Sequence, residues 1–205
     1  MVVRETMLVG FIFVLGLIPV LGCESDDCAD DEYTSDDPRE GKAYYTVRIV
    51  DQTPIDQLSM ATPGADIDAV ALVKNGTAQE IYADLALDYE LGPVIPFPGL
   101  ENPDLATGAP AWPDGDCLAD HVEFYGMGGN DGHLVLRFAD HEIEPGDILK
   151  VYECANGPWI EHYNIAVGAS GNGVDFSFVG IGYNASGIID FTVPDLPALP
   201  MPEAD

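Results

Sequence analysis

Positive charge is what this chain has least of. Seven Lys and Arg stand against 36 Asp and Glu in 205 residues, a formal net charge of −29. Nucleic-acid phosphates would be repelled by such a field, so nucleic acid is not expected as a partner, nor is direct adsorption to anionic lipid. Cysteine is also scarce: Cys23, Cys28, Cys117 and Cys154, with no C-x-x-C spacing and no Cys/His cluster, which argues against structural zinc. There is no G-x-S-x-G, no H-E-x-x-H and no Walker loop, and the histidines at 121, 133, 141 and 162 are scattered. Asp120 beside His121 carries little weight in so acidic a chain. No convincing amphipathic helix is present. The longest apolar run, residues 7–21, falls short of the about 20 residues of a membrane span.

That run has the length of a signal-peptide h-region, preceded by Arg4 and Glu5 and ending in Val20-Leu21-Gly22-Cys23. It resembles a bacterial lipoprotein signal. The resemblance implies cleavage after Gly22, diacylglyceryl attachment to Cys23 and acylation of the new N-terminus. Leu21 is bulkier than the residue often found there. Glu24, where an aspartate would matter, is permissive for outer-membrane delivery. More than one acyl chain makes anchoring firm, since a single chain holds only marginally. The alternative is an ordinary secretory signal cut near Gly22. Loss of residues 1–22 removes Arg4 and Glu5 together, so the charge stays at −29.

Residues 23–41 follow the signal. Nine of the eighteen residues 24–41 are acidic and nothing apolar recurs, so this segment cannot bury enough surface to fold and reads as an extended tether. From residue 42 the pattern becomes short β-branched and aromatic runs: 44–50, 67–73, 80–87, 121–125, 133–138, 148–153, 163–168, 176–182 and 188–193. Turn signals separate them, among them Asn75-Gly76, GMGGNDG at 126–132 and Pro145-Gly146-Asp147. The run at 80–87 also permits a helical turn. Residues 134–136 and Phe138 read as covered on both faces. Residues 92–120 hold six prolines, which exclude a central strand, and a loop of that length is often functional. The expectation is one all-β antiparallel sandwich over 42–197, with a proline-rich tail at 198–205.

Four stretches carry a further resemblance: GADIDAV at 64–70, NPDLATGAP at 102–110, GHLVLRF at 132–138 and IEPGDILKVYE at 143–153. In this order they resemble the galactose-binding-like, discoidin-type jelly-roll superfamily over about residues 44–197. That resemblance implies a jelly-roll fold, recognition of sugar, protein or lipid, and a structural calcium ion.

Cys117 and Cys154 lie in the globular part and would form a disulfide in an oxidising envelope, leaving Cys28 over if Cys23 carries lipid. Trp112 lies five residues before Cys117 and Trp159 five after Cys154. A disulfide holds its two Cα atoms within about 7 Å, so both tryptophan loops would emerge at one end of the sandwich. Trp112, Trp159, Asp114 and Asp116 form the candidate ligand-binding set, since tryptophan faces pack on sugars and partner side chains. The alternative is that the tryptophans plug the core beneath the loops. Asp66, Asp68, Glu153 and Asp190 are candidate calcium ligands, hard oxygen donors on a strand start and near the last strand; solvated acids are the alternative. The leading functional expectation is a membrane-anchored, non-catalytic binding lipoprotein for carbohydrate or another envelope component. A structural or assembly protein that binds an envelope protein comes second, and a hydrolase without a recognisable motif third.

Overall fold

The computed structural model describes residues 39, 41–54, 64–96, 98–114, 123–154, 161–171, 175–183 and 187–199. The expected signal, Cys23 and all of the expected tether except Arg39 and Gly41 lie outside them, as do Cys117, Asp116, His121 and Trp159. Arg39 donates to Phe138 O at 2.8 Å and Gly41 N to Ala169 O at 2.9 Å, so that end of the expected tether is bound to the domain. What is described is an all-β sandwich of two antiparallel sheets. One sheet orders its strands β4 (Leu85–Glu90), β6 (His133–Arg137), β1 (Thr46–Asp51), β8 (His162–Gly168) and β9 (Phe176–Tyr183). The other orders β10 (Ile188–Thr192), β7 (Ile148–Glu153), β2 (Asp66–Val73) and β3 (Glu80–Tyr82), with the two-residue β5 (Tyr125–Gly126) also pairing with β2.

Period-two alternation builds the core. Val47 and Ile49 of β1, Leu134 and Leu136 of β6, and Tyr163, Ile165 and Val167 of β8 belong to one buried cluster. From the other sheet it takes Ile67, Val70 and Leu72 of β2, Leu149 and Val151 of β7, and Phe191 of β10. β2 is buried at every position because its outer face is covered too. There Ala69 and Ala71 are small enough for Tyr152 and Tyr82 to lie across them, with Ile188 alongside. β6 is likewise buried on both faces at Leu134, Val135 and Leu136, as its unbroken apolar run suggested.

The run at 80–87 is two strands in different sheets. The Ala83 N–H donates to Val70 O at 2.9 Å in one sheet, and the next N–H, of Asp84, donates to Arg137 O at 2.9 Å in the other. The chain thus changes sheets between β3 and β4, with Ala83 fully buried at the crossing. Of the expected strand at 121–125 the structure describes residues 123–125, and of these only Tyr125 is in a strand, β5.

Two buried aspartates tie the ends. Asp51, closing β1, accepts from Thr53 N at 2.8 Å, Ala65 N at 2.7 Å and Gly129 N at 3.1 Å. Gly64 at φ +82° lies so close that a Cβ there would strike Asp51 Oδ2 and the Gly129 amide. At the other end Asp147 accepts from Asn75 N at 2.9 Å, Glu144 N at 2.8 Å and Lys74 Nζ at 2.6 Å. Residues 194–199 do not leave the domain loosely: Leu196 and Leu199 pack on the core, and the Tyr44 hydroxyl donates to Pro197 O at 3.1 Å.

Candidate functional site

The long proline loop is fastened rather than free. A β-bulge between Ile67 and Ala69 releases Asp68 from the ladder. Its Oδ1 accepts from Ala111 N at 3.0 Å and its Oδ2 from Trp112 N at 2.8 Å. Burial pushes the Asp68 carboxyl up, the two amides pull it down, and the charge of Glu123 adds to the rise. A 3₁₀ turn at Pro103–Ala106, capped by Asn102 Oδ1, and a bond from Gly108 N to Ala83 O at 2.8 Å hold the middle of the loop. Trp112 is half-buried and packs on a satellite cluster of Leu100, Phe124 and Cys154. It therefore serves partly as the plug that the sequence allowed. Cys154 is fully buried and disulfide-bonded, while the cysteine expected to pair with it, Cys117, lies outside the described residues. Asp114 is exposed beyond Pro113. The pairing of Trp112 with Trp159, and the place of Asp116, fall outside the described residues.

The proposed calcium ligands divide into separate environments. Both oxygens of Asp68 already accept backbone amides. Asp190 is exposed on β10 in register with Lys150, because β10 pairs with β7 and not with β2. One strand, β7, therefore stands between Asp190 and Asp68, and these two candidate ligands are held apart. Asp66 and Glu153 are fully buried at the loop end of the sandwich, with Glu161 also buried nearby. Glu153 takes part in no ion pair with a described lysine or arginine. Its neighbour is the Glu161 carboxyl, a contact that requires a proton between the two. Burial pushes Glu153 up to about 8, with the charges of Asp66 and Asp51 adding to the rise and the Glu161 bond opposing it. Among the described residues, no group of three or more His, Cys, Asp or Glu side chains is placed to hold a metal ion.

A different surface is open. The outward positions of the first sheet run in register across its strands. Thr46, Arg48 and Val50 of β1 stand opposite Gly168, Ala166 and Asn164 of β8. Those in turn stand opposite Phe176, Phe178 and Ile181 of β9. The Phe176 ring lies over Gly168 and Thr46 is fully buried at that end, so only Ala166 is both small and part-exposed, a short trough beside the exposed side chains of β9. Phe178 is 59% exposed, Ile181 48% and Tyr183 50%. At one end of the trough Tyr183 meets His162 edge-on, 4.9 Å between ring centroids. Gly180 and Gly182 let β9 lie close on the core, since a Cβ at either would strike Phe191 or Tyr163.

Sequence reasoning took this strand for an ordinary element and missed the face. The available signal was FSFVGIGY, eight residues without a charge in a chain that is 21% charged. An edge strand with exposed apolar side chains and no charge is a surface that proteins otherwise avoid.

Comparison with known proteins gives no family model, no curated protein and no solved structure that matches this chain.

Proposed function

We propose that this chain is a non-catalytic carbohydrate-binding lipoprotein, held by lipid on Cys23 at the bacterial cell envelope, outer membrane included, and that the outer face of its first sheet receives the sugar. The supporting observation is the row of exposed Phe178, Ile181 and Tyr183 beside the shallow floor of β8. Aromatic faces cover the C–H faces of sugars, and the neighbouring Asn164, His162 and Arg48 supply hydrogen-bonding groups at the same level of the sheet. The lipobox and the acidic stretch 24–41 support an anchored head on a tether. On this reading the sugar meets a sheet face and not the Trp112 loop, which is pinned and half-buried.

The test is a glycan array probed with the full chain in detergent, repeated with Phe178→Ala. Loss of the array signal by at least about tenfold, with an unchanged melting midpoint, supports the reading. Retention of full binding removes the face from consideration.

A second reading, assembly with another envelope protein, draws on one feature. β9 ends its sheet, so its outer backbone edge takes no strand partner in the ladder order. Silence on the array combined with one protein that co-purifies stoichiometrically favours that reading.

A further inference from the structure

We propose that the glycan bound by this face carries a carboxylate, as a uronic acid does, and that Arg48 is the residue that selects it. This rests on the carbohydrate reading above and narrows it to a substrate class.

Arg48 is an exception in this molecule. Among the described residues, Lys74, Arg137 and Lys150 each hold a carboxylate, of Glu144 and Asp147, Asp84, and Glu80 respectively. Arg39 donates to the carbonyls of Phe138 and His141. Arg48 has neither ion pair nor hydrogen bond, and its Nε is buried without an acceptor. The one contact of its guanidinium is the Phe176 ring, 5.7 Å from Cζ to centroid. Among the described residues, an arginine that faces no acid in so acidic a chain has been kept away from them by the fold. The register shows how. Its cross-strand neighbours are Val135 on β6 and Ala166 on β8. The acid on the same row, Asp88 of β4, lies beyond Val135 and bonds His133 Nε2 at 3.1 Å.

A guanidinium partly stripped of water and given no anion in return is a favourable site for an incoming carboxylate. Its planar fork matches two carboxylate oxygens. Across Ala166 the backbones of Arg48 and Phe178 stand two strand spacings, about 10 Å, apart, and the guanidinium reaches over that gap toward the Phe176 ring, so a carboxylate it holds would sit beside the Phe178 stacking face. The chain's own field sets a further condition. At −29 it repels a dense polyanion, but beyond a screening length of about 8 Å a single carboxylate on a largely neutral glycan feels little of that. The ligand class is thus a sparsely acidic glycan.

The experiment measures binding to the full chain in detergent of a uronate-containing oligosaccharide, the same oligosaccharide after carboxyl reduction, and a sulfated neutral oligosaccharide. Wild type is compared with Arg48→Met and Arg48→Lys, each first shown to melt as wild type does. The expected result is at least tenfold tighter binding of the uronate form than of its reduced counterpart. Arg48→Met should erase that preference while binding of the reduced form stays within twofold, and Arg48→Lys should restore it in part. Equal binding of the two forms, or a preference that survives Arg48→Met, overturns the proposal. Tighter binding of the sulfated sugar, lost in Arg48→Met, overturns the carboxylate assignment. A neutral glycan that binds and needs Phe178 leaves the carbohydrate reading standing while this inference fails. Absence of all glycan binding sinks both.

Discussion

Glu153 and Glu80 are two carboxyls of one sheet driven in opposite directions. Burial and the neighbouring acids raise Glu153 to about 8, so its folded value lies above the ordinary value of 4.5. Such a group favours the folded state most when protonated; its contribution is complete below 4.5 and is lost as pH rises through 8. Asp51 and Asp68 are raised by burial as well and act in the same direction. Glu80 accepts from Lys150 Nζ at 2.6 Å and from the hydroxyls of Tyr82 at 2.6 Å and Tyr152 at 2.7 Å. Those bonds overcome its burial and lower it to about 2, so its contribution is present above 4.5 and lost as pH falls through 2. The melting midpoint is therefore expected to peak near pH 4 to 5 and to decline toward pH 8. Glu153→Gln should flatten the alkaline side. A midpoint that rises from pH 5 to 8 contradicts this assignment. The same residues bear on calcium: with Asp68 committed to amides and Glu153 protonated at neutral pH, a chelator is expected to leave the midpoint unchanged, and a fall of several degrees would show an ion there. Gly64→Ala should be among the costliest small substitutions, roughly 2 kcal/mol or more by denaturant melting, because φ +82° and the Asp51 carboxylate both refuse a Cβ.

At the scale of elements, the proline loop depends on one side chain. Asp68→Ala leaves the Ala111 and Trp112 amides without their acceptor, an expected cost of about 1–3 kcal/mol. In a Trp159→Phe background, the fluorescence of Trp112 should shift to the red as the loop lifts from Leu100 and Phe124; an unchanged spectrum would show that packing alone holds it. The strands themselves were largely legible. Ile148–Glu153 coincides with its apolar run, and six others are recovered within a residue or two. The split at Ala83 was not legible, because the pattern on either side of a sheet crossing stays apolar and no proline or glycine marks it. The bulge at Asp68 was equally silent. From the sequence, Asp66 and Asp68 read as a pair two apart on one side of a strand start, whereas the irregularity gives Asp68 its own task.

For the whole molecule, the all-β sandwich followed from short strands, turn signals and the lack of helical periodicity. The exposed face of its first sheet did not follow, for a physical reason. Exposure of Phe178 and the isolation of Arg48 are properties of neighbouring strands, set by register across β1, β8 and β9, and no local pattern in one strand encodes them. Tryptophans drew attention as the usual anchors of binding sites, yet Trp112 covers a satellite core. The proposed function depends on whether sugar meets the sheet face or the loop end. The most direct measurement compares the affinity of the best array ligand for the full chain with that for Phe178→Ala and Trp112→Ala, at a temperature where all three are folded. The account predicts a loss of at least about tenfold in Phe178→Ala and a change below about threefold in Trp112→Ala. The opposite ranking, with Phe178→Ala binding as wild type does, would contradict it and return the site to the loop.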